Sequence, residues 1–137
     1  MRRASLLVAA AVLASGVPFL AAGHASASSS PGLECEVAPG HGTFTPRSCG
    51  TTIPSSLYTL DYLVTGGSGT YTYSWTRPAG TTVLAGCTSA SSDCEVSIPD
   101  NGSDIMATAT VVLTQGSTQT TVLATAHIAA VCGKYFC

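Results

Sequence analysis

The sequence predicts an all-β protein: an antiparallel β-sandwich of about seven strands, stapled by disulfides. Three observations carry that prediction. Apolar and polar residues alternate with period two along most of the chain beyond residue 55, the pattern of half-buried strands. Turn signals rich in Gly, Pro, Asn and Asp recur about every 8 to 12 residues, the spacing of a sandwich. Six cysteines follow an N-terminus that reads as an export signal, and an even count in an exported chain reads as a disulfide framework.

The export signal spans residues 1–27. Arg2 and Arg3 form a basic start, and an apolar run follows from Leu6 to Ala22, interrupted by Ser15, Gly16 and Pro18. Ala25-Ser26-Ala27 is a cleavage site of the small-x-small kind, which predicts a cut after Ala27. A membrane anchor would need about 20 unbroken apolar residues. Cleavage leaves three basic residues, Arg47, Arg77 and Lys134, against seven acids, for a net charge of −4. The product is expected to be secreted and extracellular, with no membrane contact.

Residues 28–54 are rich in Ser, Pro and Gly and read as an irregular N-terminal segment with at most one or two edge strands. The domain proper is expected over residues 55–137. In its first strand Tyr58, Leu60, Tyr62 and Val64 alternate with Thr59, Asp61, Leu63 and Thr65. Gly66-Gly67-Ser68-Gly69 makes a hairpin-type loop. Tyr71, Tyr73 and Trp75 then share one face and Thr70, Thr72, Ser74 and Thr76 the other. Pro78-Ala79-Gly80 turns the chain. Thr82-Val83-Leu84 is a short strand, and Cys94, Val96 and Ile98 mark the next. Pro99-Asp100-Asn101-Gly102 is a turn, since Asn and Gly tolerate positive φ. Ile105, Ala107, Ala109, Val111 and Leu113 line one face of a long strand, Gln115-Gly116-Ser117 turns it, and Val122, Ala124, Ala126, Ile128 and Ala130 line the last. Leu60, Val64, Val111 and Ile128 are the expected aliphatic core.

The cysteines are Cys35, Cys49, Cys87, Cys94, Cys132 and Cys137. No C-x2-C pair occurs among them, so a zinc site is disfavoured and no metal or other cofactor is expected. Cys87 and Cys94 enclose a Ser/Thr-rich loop between two strands, and a local bridge is expected there. The pairing of Cys35, Cys49, Cys132 and Cys137 stays open. Longer loops restrict the unfolded chain more, which favours crosslinking the N-terminal segment to the C-terminus. Two local loops, Cys35–Cys49 and Cys132–Cys137, are the alternative.

Only 9% of residues are charged, against about 25% in an ordinary soluble domain. A net acidic chain lacks the basic footprint of nucleic-acid readers. Beyond the signal there are 19 Thr and 14 Ser. Thr is β-branched and suits strands, and its hydroxyl wets an outer face without adding charge.

The run Val64-Thr65-Gly66-Gly67-Ser68-Gly69-Thr70-Tyr71-Thr72-Tyr73-Ser74-Trp75 resembles the second and third strands of bacterial PKD-like and immunoglobulin-like domains: a Gly-rich turn, then an aromatic-x-aromatic-x-Trp strand. The strand from Asp104 to Thr114 with its hairpin partner looks like their last two strands. The resemblance covers about residues 55–131. It implies an immunoglobulin-like sandwich with Trp75 in the core, and a non-catalytic binding or spacing role; Tyr73 is expected in the core because aromatic-rich strands usually face inward. The chain also departs from antibody domains, because neither of the strands that carry their inter-sheet bridge holds a cysteine here, which places the disulfides at loops and ends.

Catalytic constellations are missing from the sequence. His127 falls on a solvent-facing strand position and His41 in a Gly-rich loop, no G-x-S-x-G occurs, and no catalytic residue is assigned. Glu34 and Glu36 share a face but read as a solvated pair. Asp100 to Asp104 lack calcium-loop spacing. The expected function is therefore a secreted, non-enzymatic binding or adaptor module for another extracellular protein, in one version a subunit of a multi-component secreted or surface assembly. Residues 28–54, a strand edge or the loop tips would make the contact, with Tyr135, Phe136 and Arg47 as candidate contact residues. The alternatives are an inhibitor of a protease or glycosidase, presenting Thr88 to Asp93 or the Arg47–Ser48 bond, and a cell-wall or carbohydrate-binding module using Tyr71.

Overall fold

A computed structural model describes residues 30–40, 42–132 and 135–136. The chain is all-β, and among the described residues no helix occurs. The strands are β1 (Gly32–Ala38), β2 (Thr45–Pro46), β3 (Ser48–Thr51), β4 (Leu57–Thr65), β5 (Thr72–Thr76), β6 (Thr82–Gly86), β7 (Asp93–Pro99), β8 (Ile105–Gln115), β9 (Thr118–Ile128), β10 (Val131–Cys132) and β11 (Tyr135–Phe136). One sheet has the order β2-β1-β4-β7-β6, a second the order β3-β9-β8-β5, and β10 and β11 form a separate hairpin. Pairing is antiparallel throughout except for β3, which runs parallel to β9.

The core lies between the two sheets, where period-two alternation sends every second residue. Leu33, Cys35 and Val37 of β1, Tyr58, Leu60 and Tyr62 of β4, and Cys94, Val96 and Ile98 of β7 enter from the first sheet. Ile105, Ala107, Ala109, Val111 and Leu113 of β8 and Ala124, Ala126 and Ile128 of β9 enter from the second. The division by size has a physical logic. Four alanines on the second sheet leave room, and two fully buried tyrosines on the first fill it. Tyr62 crosses the sandwich: its hydroxyl donates to the Ala107 carbonyl at 2.8 Å, which supplies the partner that a buried phenol needs. Burial pushes the Tyr62 phenol above its ordinary pKa.

Four expectations need correction. First, residues 28–54 are not an irregular leader. β1 lies inside its sheet between β2 and β4, and Leu33, Cys35 and Val37 are core residues. The alternation Leu33-Glu34-Cys35-Glu36-Val37 is that of a half-buried strand, and the surrounding Pro and Gly obscure it. Pro46, which lacks a donor, stands on the edge strand β2, where the missing N–H is tolerated.

Second, Trp75, Tyr73 and Val64 are only partly buried, whereas Leu60, Val111 and Ile128 are fully inside. β5 is a five-residue edge strand, so its inward rings pack at the margin of the core. Third, Cys35 bridges Cys49, a local loop in place of a link to the C-terminus. Because β1 and β3 lie in opposite sheets, this short loop still ties the sheets together. Cys137 and the side chain of Cys132 lie outside the described residues. Fourth, the bridges are not confined to loops: Cys35 in β1 and Cys94 in β7 are completely buried. Cys87 is joined to Cys94.

Candidate functional site

The two outer faces of the sandwich differ in chemistry. On the five-stranded sheet acids stand at five of the positions that alternate with core residues, beside Leu57, Thr59 and Leu63. Glu36 of β1 stands opposite Asp61 of β4, and Asp61 stands opposite Glu95 of β7. Three carboxylates thus run in one row across three neighbouring strands. One step along, Glu34, Leu63 and Asp93 form the parallel row. Five of the seven acids beyond the signal share this face.

Like charges directly opposite each other destabilise a sheet, and the centre of the row registers the stress. Asp61 has its carboxyl pushed above the ordinary carboxylate range, first by burial and then by Glu95, Asp93 and Glu36. A hydrogen bond from the Tyr62 backbone opposes this only partly. Its Oδ1 is buried without a hydrogen-bond partner. At the rim, Thr65 donates to Glu34 Oε1 at 3.2 Å. Neither described arginine ion-pairs with these acids. The only ion pair among the described residues joins His127 Nε2 to Asp104 Oδ2 at 4.0 Å, on the other side of the molecule. Among the described residues no cluster of three or more His, Cys, Asp and Glu side chains has metal-binding geometry.

The outer face of the four-stranded sheet carries hydroxyls instead. Thr72, Ser74 and Thr76 of β5 stand opposite Thr114, Val112 and Thr110 of β8. Thr108 and Thr110 stand opposite Thr125 and Leu123 of β9, and Met106 opposite His127. Thr108 and Thr125 hydrogen-bond across the strands at 2.8 Å. Met106 and Leu123 project from this field, 67% and 53% exposed.

The residues singled out in the sequence fall in separate places. Tyr71 is half-buried, and its hydroxyl accepts from the Ser68 backbone N–H and donates to the Ser68 carbonyl. Gly67, at positive φ, passes so close that an added Cβ would lie 2.6 Å from that hydroxyl. Tyr71 therefore braces the Gly-rich loop, and its polar end is occupied.

Arg47 is exposed, between β2 and β3, with φ of 66°, a left-handed conformation that non-glycine residues seldom adopt. Its N–H donates to Leu33 O and its carbonyl accepts from Thr125 N–H, both at 2.9 Å. Both backbone groups are thus committed to the sheets, which leaves no free extended segment around the Arg47–Ser48 bond. The Thr88-to-Asp93 loop is likewise turned inward. The carbonyls of Ser89, Ser91 and Ser92 accept from Tyr73 N–H, Trp75 Nε1–H and Val64 N–H. His127 is exposed on its strand. Tyr135 and Phe136 pair as backbone within the β10–β11 hairpin, but their side chains, like His41 and Lys134, lie outside the described residues.

Sequence reasoning missed Asp61, Asp93 and Glu95 as partners of the Glu34–Glu36 pair. A signal was present, since each acid occupies an outward position of a period-two strand. Only the strand order brings the three strands side by side, and alternation does not reveal strand order. Comparison with protein-family models, with characterised proteins and with solved structures finds no match to this chain.

Proposed function

We propose that the protein is an exported, non-enzymatic binding module of immunoglobulin-like, PKD-like architecture, which recognises a basic surface on another extracellular protein through its acidic sheet face. The strand order supports the architecture. With β1, β4, β5, β6, β7, β8 and β9 taken as strands A to G, one sheet reads A-B-E-D and the other G-F-C, the arrangement of constant-type immunoglobulin domains. The Gly66–Gly69 turn followed by Tyr71, Tyr73 and Trp75 supports the PKD-like reading. Two disulfides suit an oxidising, extracellular setting.

The observation that carries the functional reading is the Glu36–Asp61–Glu95 row. A fold gains nothing internally from three carboxylates side by side, and violations of local consistency concentrate where function requires them. A cationic partner would relieve the repulsion and supply the charge this face lacks. Electrostatic complementarity of this kind sets partner choice and association rate, and the contact should weaken as salt screens it.

The test is capture of partners from culture fluid by wild type and by Glu36→Gln/Glu95→Gln, with elution by salt. The reading predicts a partner that is lost in the variant and released by about 0.5 M salt, where the Debye length falls to a few ångströms. A partner retained equally by the variant, or one indifferent to salt, would overturn it.

A further inference from the structure

We infer that the hydroxyl-rich outer face of the four-stranded sheet is a self-association surface, occupied by the same face of a second copy of this chain. The inference does not depend on the role given to the acidic face. Two copies meeting through the five-stranded sheet would bring five carboxylates against five. The four-stranded face has no Lys, Arg, Asp or Glu at the outward positions of β5, β8 and β9; among the described residues charge adjoins it at Arg47, Arg77 and Asp104, and its one titratable side chain, His127, lies 4.0 Å from Asp104. A charged partner surface would be desolvated against this field with nothing to pair it, a costly arrangement. An identical neutral face has no such penalty, and a closed two-fold contact needs a patch that complements itself.

The composition of the face fits burial. Met106 and Leu123 are large apolar side chains standing 67% and 53% exposed, and Val112 lies diagonal to Leu123 across β8 and β9. The hydroxyls between them are not all in need of water: Thr108 and Thr125 already satisfy each other at 2.8 Å, which lowers the cost of covering them.

The size is also adequate. The strands of this sheet have 4, 11, 11 and 5 residues. With ~4.8 Å between strands and ~3.4 Å per residue they present roughly 500 Å² in projection. Two copies then bury about 1,000 Å², the lower end for a specific interface, and side-chain relief adds to it. An interface at that end of the range fits a reversible, concentration-dependent dimer, with both acidic faces outward.

The test is sedimentation of the purified protein over a concentration series, at low and high salt, for wild type, Leu123→Lys and Met106→Lys. The expected result is a dimer mass in wild type at tens of micromolar, unchanged by salt, with dissociation shifted at least tenfold in each variant. Melting curves matching wild type show that the variants fold, as two exposed positions should. A monomer at every concentration would overturn the inference, as would a dimer undiminished in both variants. So would a salt-sensitive dimer, which would place the contact on charged groups. Retention on insoluble glycan by a strictly monomeric protein would assign the face to a carbohydrate instead. None of these outcomes alters the partner-capture result expected for the acidic face.

Discussion

At the scale of single residues, Asp61 concentrates the tension between folding and surface chemistry. Burial and three neighbouring acids raise its carboxyl pKa in the fold. The folded state therefore holds a proton that the unfolded chain has released, in the window above the ordinary value of 3.8. Stability linked to this group is present at low pH and declines as pH rises through that window. Asp61→Asn removes the charge with little change in shape. It is expected to raise the melting temperature by a few degrees at pH 7 and to have little effect near pH 3, as calorimetry at the two pH values would show. A variant less stable than wild type at pH 7 would mean that the charge is compensated in the fold. The inward positions of β4 and β8 were legible in the sequence, because alternation alone decides them. The stress on Asp61 was not, because it arises from Glu36, Asp93 and Glu95 on strands 25 to 34 residues away in the chain.

At the scale of elements, β1 carries the lesson about reading Pro- and Gly-rich sequence. Five alternating residues, Leu33 to Val37, were enough to place a strand inside a sheet, and the breakers on either side only set its ends. The Cys35–Cys49 bridge closes a separation of just 14 residues. Loop length argued for a longer crosslink, yet the geometry favours the short one because the chain crosses between sheets within that interval. A closed loop of this size is worth about 3 kcal/mol by the chain-entropy estimate. Cys35→Ala/Cys49→Ala is therefore expected to lower the unfolding free energy by about that amount, with some addition from the cavity left at buried Cys35. Urea titration would show it as a lower midpoint with an equal or steeper slope, because the unfolded chain is freed to expand, and an unaltered midpoint would mean that β1 and β3 are held by pairing and packing alone. The β5 rings illustrate the opposite limit. Their shared face was plain from Tyr71, Tyr73 and Trp75, but sequence spacing does not say that β5 is an edge strand, and the edge position is what leaves Tyr73 and Trp75 half-buried.

At the scale of the whole molecule, the low charge content resolves into two unlike faces: acids gathered on one sheet, hydroxyls and a few apolar side chains on the other. Strand order produces that segregation by bringing β1, β4 and β7 together, and it follows from topology rather than from composition. The loop between Cys87 and Cys94 holds the two layers at one margin. Ser92 receives Val64 of the first sheet, while Ser89 and Ser91 receive Tyr73 and Trp75 of the second. Trp75 is the only tryptophan in the chain, and its half-buried indole donates to Ser91 O, so it is a built-in optical gauge of solvent access at the seam between the layers. In Cys87→Ala/Cys94→Ala the loop loses its closure, and the Trp75 fluorescence maximum is expected to move several nanometres to the red while the far-ultraviolet circular dichroism of the strands is retained. An unshifted maximum would mean that the loop keeps its grip without the bridge. With that gauge, parting of the layers could be timed separately from loss of the sheets, in a molecule that needs no added label.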